Sequence, residues 1–289
     1  MIQYFLFFHY SFAIISSLFF QLFIIRIFKR NNKGNKSLNK LFSKIISIII
    51  FMINIIIIYF IFNFSIKTII IQSLIIYVIY NFLSNKFSLY GITGQIASGK
   101  STVTEYLKKK YNARIINIDD INREVLSRNE VINEIEKVFG NSVIKIENNR
   151  KILDKQLIKA LIFEDPKKKK KLEMITHPRV FMSFAKIVID EKFIKNNKYV
   201  FIENAILLRF KFFVILCKII LCICVKDENI LIDRIIKRDN CTEETARNIL
   251  KNQMTLKQFE EGSDYVLYND KDYENIQNEI DNIINEIEQ

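Results

Sequence analysis

Gly94, Gly99, Lys100 and Ser101 fall at the spacing G-x-x-x-x-G-K-[ST] inside residues 90–104, YGITGQIASGKSTVT. Residues at this spacing form a loop whose backbone N–H groups close on phosphate oxygens. Gly94, Gln95, Ile96, Ala97, Ser98, Gly99, Lys100 and Ser101, with Thr102 behind them, are the candidate phosphate cradle. Lys100 can reach terminal phosphates, and the Ser101 hydroxyl is a hard oxygen suited to Mg²⁺. A helix N-terminus behind the loop adds favourable potential for an anion.

Other charged residues stand where such a ligand would be worked on. Asp119 follows a short apolar run at 113–118, and Glu203 follows another at 198–202. In open α/β sheets the ligand crevice lies outside the carboxyl ends of the strands. Asp119 is therefore a candidate for the chemistry, and Glu203 for the Mg²⁺–water partner. Each could instead cap the helix that follows it. Arg123, one helical turn past Asp119, can pair with that carboxylate or with a substrate phosphate; the plainer reading is a solvated charge. Arg234 and Arg238 share a helix face and could deliver positive charge to a transferring phosphoryl group, unless they form a solvated basic face. His177, before Pro178, could hydrogen-bond a phosphate or ribose or be structural.

The elements that must carry these residues follow from the pattern. Strands are expected at 88–92, 113–118, 198–202, 219–225 and 265–267. Continuous apolar runs of this kind suit parallel strands buried on both faces. Helices are expected at 101–110, 120–127 (with Asp119 as its cap on the plainer reading), 131–139, 154–163, 227–238 and 272–288. Pro166 opens another helix, where proline is tolerated at the first position. His177-Pro178 interrupts the helical pattern there, and the lysine run 167–171 reads as a solvated face. Residues 141–150 read as a polar connection with a hairpin, and Thr242 caps a helix with Thr245 at its third position. The fold class is α/β: a phosphate-loop core with about five parallel strands, preceded by hydrophobic N-terminal helices.

The 289-residue chain carries a formal net charge of +12, and its first acidic residue is Glu105. The basicity is thus partly a property of the N-terminal arm, and no nucleic-acid partner is read from it. Cys217, Cys222, Cys224 and Cys241 show neither C-x-x-C spacing nor a nearby histidine pair, so neither zinc nor a disulfide framework is expected. The arm, residues 1–85, holds apolar runs at 4–25, 45–62 and 68–83. A spanning helix needs about 20 apolar residues, with roughly 17 as the lower limit. Between the first two runs lie Arg26, Lys29, Arg30, Lys33, Lys36, Lys40 and Lys44 without an acid, which places that loop in the cytosol. The arm then anchors the chain in a membrane with the domain 86–289 facing the cytosol. An organelle-targeting presequence is the alternative; a cleaved signal peptide lacks its basic n-region and its small-residue cleavage site.

Residues 88–285 resemble the dephospho-CoA kinase family. The resemblance rests on GxTGxIxSGKST, a strand ending at Asp119 with Arg123 four later, Phe163-x-x-Pro166, His177-Pro178, Arg234-x-x-x-Arg238-Asp239, Gln253 and Asn269. It implies a kinase moving the γ-phosphoryl of ATP to the ribose 3′-hydroxyl of dephospho-CoA, with a helical acceptor-binding region and a lid. In that picture Asp119 is the base, Lys100 and the loop amides hold the phosphates, and Ser101 takes Mg²⁺. Arg234 and Arg238 are lid arginines, and Arg123 and His177 lie by the acceptor. Gln95 and Ala97 stand where the family usually has glycine, Lys155 where it has arginine, and Arg209 ends a motif that usually closes on Glu. The same loop would also serve a kinase with a nucleoside or nucleotide acceptor, or a membrane-anchored nucleotide-binding module without catalysis.

Overall fold

The computed structural model describes residues 88–147, 150–270 and 273–288. The N-terminal arm, with its three expected membrane runs, lies outside the described residues. Among the described residues no helix is long and apolar enough to cross a membrane.

In chain order the elements are β1 (Leu89–Gly94), α1 (Lys100–Tyr111), β2 (Arg114–Asn117), α2 (Ile118–Leu126) and α3 (Asn129–Phe139). Then come β3 (Ile144–Glu147), β4 (Arg150–Leu153), α4 (Lys155–Glu164), α5 (Pro166–Ile189) and β5 (Val200–Glu203). The chain closes with α6 (Lys211–Leu216), β6 (Cys217–Cys224), α7 (Glu228–Asp239), α8 (Glu243–Lys251), α9 (Leu256–Gly262), β7 (Tyr265–Tyr268) and α10 (Tyr273–Glu288). The described residues form two compact units: 88–106 with 205–288, and Leu107–Asn204.

The first unit holds three parallel strands in the order β1, β6, β7, with Gly94 opposite Ile223 and Cys222 opposite Val266. All of β1 is buried, as its apolar run requires. Val225, Leu231, Ile232, Ile235, Ala246 and Leu250 form a core beneath α7 and α8, and Ile96 and Ala97 of the loop pack on it. Cys217, Cys222 and Cys224 are buried free thiols. A hydrogen bond with Cys222, reinforced by burial, keeps the Cys224 thiol protonated well above its ordinary range.

The second unit pairs β2 with β5 in parallel, Asn117 opposite Glu203. Its core includes Ile116, Ile121, Val125, Ile135, Phe184 and Phe201. The expected hairpin is β3–β4, with Glu147 opposite Arg150.

Two expectations are corrected in this unit. Asn117, not Asp119, caps α2: its side chain accepts from Asp119 N at 2.9 Å and Asp120 N at 3.2 Å. β2 ends at Asn117, one residue short of the expected strand, and Asp119 falls in the first helical turn, where the macrodipole favours a carboxylate. Nor does His177-Pro178 end a helix, because α5 runs unbroken through Pro178. Proline removes one i to i−4 bond, but Pro178 lies on the exposed side, where water can take up the freed carbonyl. The buried side chains of Ile175, Thr176, Val180, Phe184 and Val188 hold the helix down on the other side.

Tyr268 ties β7 to α9. Its hydroxyl donates to Glu260 Oε1 at 2.6 Å, and the Lys226 ammonium lies 4.2 Å from its ring centroid. The bond to Glu260, with burial, pushes its phenol up to about 12. Tyr265 also rises to about 12, through burial and its bond to Glu286. The folded state therefore prefers both phenols protonated. That contribution is complete below the unfolded phenol range near pH ~10 and fades as pH climbs from there toward 12. Thermal melts should show stability falling across this window, and Tyr268→Phe should flatten part of the fall.

Candidate active site

The phosphate loop leaves β1 at Gly94, whose φ is +143°. A Cβ at Gly94 would strike the Ile223 carbonyl, so the close pairing of β1 with β6 requires glycine here. Gly99 has φ +94°, and a Cβ there would meet the Asn269 side chain. Ala97 adopts φ +58°, a left-handed conformation that side chains rarely take. Its methyl group packs against the α7–α8 core, which offsets some of that cost.

The Lys100 ammonium donates to Gln95 O at 2.7 Å and to Gly94 O at 3.1 Å, so it lies back across the loop. Ser101 and Thr102 are exposed in the first turn of α1. The Ser98 hydroxyl is buried and has no hydrogen-bond partner, an orphan donor of the kind a phosphate or an ordered water completes.

Gln95 is buried and links the loop to the strand beside it. Its Oε1 accepts from Val225 N at 2.7 Å, just past the end of β6. From a distance in sequence, Gln253 Oε1 accepts from Ile96 N at 2.9 Å, and Asn269 Nδ2 donates to Ser98 O at 2.7 Å. Neither role was visible in the sequence. Gln253 and Asn269 stood out there only as positions of a family pattern.

The two arginines diverge. Arg234 donates to Asn269 O at 3.1 Å and to Ala97 O at 3.5 Å, so it belongs to the loop's surround. Arg238 makes a two-pronged pair with Asp239, both bonds at 2.8 Å. That hydrogen bonding raises the Arg238 pKa and lowers that of Asp239.

In the second unit Asp119, two residues past β2, and Glu203, the last residue of β5, are each held by an amide. Asn204 Nδ2 donates to Asp119 Oδ1 at 3.3 Å, and Asn117 Nδ2 donates to Glu203 Oε2 at 3.3 Å. Asn204 is buried while Asp119 is exposed, so a fixed amide orients a reachable carboxylate. Nothing in the sequence singled out either asparagine. Arg123 pairs with Asp120 at 3.4 Å rather than with Asp119, because three residues along the helix bring those two side chains together. Lys155 is exposed at the start of α4, and His177 is exposed in mid-α5.

Comparison with known proteins narrows the reading. The family model for dephospho-CoA kinase matches residues 88–275. A dephospho-CoA kinase from Fusobacterium nucleatum is 30% identical over 188 residues, covering 65% of this chain and 92% of the relative. One from Prochlorococcus marinus is 31% identical over 207 residues, 71% of this chain and 97% of the relative. One from Legionella pneumophila is 34% identical over 181 residues, 62% of this chain and 85% of the relative. The crystal structure of TT1252 from Thermus thermophilus matches with a TM-score of 0.57 at 23% identity, covering 69% of this chain and 97% of that one, which shows the fold.

Proposed function

We propose how this site works from one premise: the chain belongs to the dephospho-CoA kinase family. It is a phosphotransferase with dephospho-CoA kinase activity, and its fold is the α/β fold of the phosphate-loop kinases with five parallel strands. The reaction takes the γ-phosphoryl of ATP to the ribose 3′-hydroxyl of dephospho-CoA. A bond forms between that oxygen and phosphorus, the bond to the β,γ-bridging oxygen breaks, and ADP leaves. The hydroxyl proton goes to Asp119. The observation that carries this assignment is the bond from buried Asn204 to exposed Asp119, which aims a carboxylate without burying it.

The loop from Gly94 to Thr102 takes the ATP phosphates. Lys100 exchanges its two loop carbonyls for phosphate oxygens, a stronger charge-assisted pairing. Ser101 and Glu203 are the oxygens that would hold Mg²⁺, which when bound neutralises phosphate charge. Among the described residues no three His, Cys, Asp or Glu side chains converge as a metal cage. Arg238 supplies charge to the transferring group by giving up Asp239. Arg123, Lys155 and His177, all exposed, serve the acceptor side, as do helices α2 to α5. Such chemistry is largely positioning and charge neutralisation, so dispersed groups suffice.

The N-terminal arm anchors the enzyme in a membrane with the kinase domain in the cytosol. Its apolar runs and its acid-free basic loop support this.

Asp119→Asn keeps the shape and removes the proton acceptor. Turnover should fall by about 10²- to 10⁴-fold, with the KM for ATP held within about threefold; unchanged turnover would remove Asp119 from its role. In intact cells, protease added outside should leave the C-terminal domain uncut until the membrane is permeabilised. Digestion in unbroken cells would reverse the topology.

A further inference from the structure

We propose that Asn269 and Gln253 are positioning residues for the phosphate donor, acting through the backbone of the loop rather than by touching the nucleotide. The inference rests on the reading of residues 94–102 as the ATP phosphate loop, and it does not depend on which acceptor is used.

In a planar trans peptide the carbonyl of one residue and the N–H of the next point in opposite directions. Asn269 Nδ2 holds the Ser98 carbonyl on the side of β7. The Gly99 N–H is thereby turned the other way, into the bend of the loop. The Gly99 carbonyl accepts from Thr102 N at 3.1 Å and Val103 N at 3.3 Å as the helix begins, which directs the Lys100 N–H backward toward the same hollow. Arg234 draws the Ala97 carbonyl outward in the same sense. At the front of the loop, Gln253 Oε1 takes up the Ile96 N–H from outside, and Gln95 Oε1 takes the Val225 N–H. The loop thus has outward groups bonded to α7, β6 and the segments after α8 and β7, its Ser98 N–H bonded to Gln95 O across the loop at 3.3 Å, and its Gly99 and Lys100 N–H groups turned toward the hollow.

Asn269 is the joint of this arrangement. Its own N–H donates to Cys224 O at 2.7 Å, its carbonyl accepts from Arg234, and its side chain reaches Ser98. One residue therefore fixes the loop to the end of β6 and to α7 together. The absence of a side chain at Gly99 is what lets Asn269 come this close. Ala97 at φ +58° adds a reason for the device. A left-handed alanine tends to relax, and an outside clamp keeps it there.

The test uses the full chain with ATP and with inorganic tripolyphosphate, which has no base or sugar and so reads the loop alone. Asn269→Leu and Gln253→Met keep side-chain size and delete the hydrogen bond. Each should weaken binding of both ligands by a similar factor of about five- to tenfold, the loss expected when a bond that orients a binding group is removed. In turnover, the KM for ATP should rise by that factor while the KM for the acceptor stays within twofold, a split that general loss of packing would not give. Melting temperature without ligand checks that each variant is folded. If one variant is too unstable to use, the other carries the test. Loss of ATP binding with tripolyphosphate binding unchanged would mean that these side chains contact the base or ribose, and would overturn the proposal. So would unchanged binding of both ligands. A wrong acceptor would leave these binding results standing.

Discussion

A loop that offers its amides to an anion has to be restrained from outside, because any carbonyl that swings inward repels the phosphate. In this chain the restraint is a set of side-chain bonds that tie residues 95–98 to the end of β6, to α7 and to the segments after α8 and β7. Each such bond contributes about 1 kcal/mol net, so the set matters more as geometry than as stability. Apolar packing supports it: Ile96 and Ala97 sit on the core that α7 and α8 bury. The shape of the loop depends on this frame.

The two acids of the second unit depend on a simpler device. Asn117 donates to Glu203 at the end of β5, and Asn204 donates to Asp119 in the first turn of α2. Asn117 also caps α2, so the same residue starts the helix that carries Asp119 and steadies the acid on the neighbouring strand. Positioning acids with amides leaves their charge in place. A lysine or arginine in the same role would neutralise it.

The parts of this architecture that are local in sequence were readable there. The phosphate loop is one contiguous motif, and β1, β2, β5, β6 and β7 each overlap an apolar run in the sequence. What was hidden depends on partners far away along the chain. Gln253 and Asn269 bond to residues 157 and 171 positions earlier, and no spacing rule reaches that far. Arg234 and Arg238 share a helix face, yet one is drawn to the loop and the other to Asp239, which only the fold decides. Asp119 and Asn117 compete for the same cap, and both are good cap residues; the length of β2 settles it. Pro178 misleads for a different reason. Its local cost is real, but tertiary packing of α5 outweighs it.

The most direct measurement of the central claim is product identity. The purified full chain, given ATP, Mg²⁺ and dephospho-CoA, should form ADP and a product phosphorylated at the ribose 3′-oxygen in one-to-one amounts, with the position read by ³¹P–¹H coupling. Nucleosides and nucleotides supplied in place of dephospho-CoA should be turned over far more slowly. Equal or faster phosphorylation of a nucleoside, or ADP released with no phosphorylated acceptor, would contradict the account.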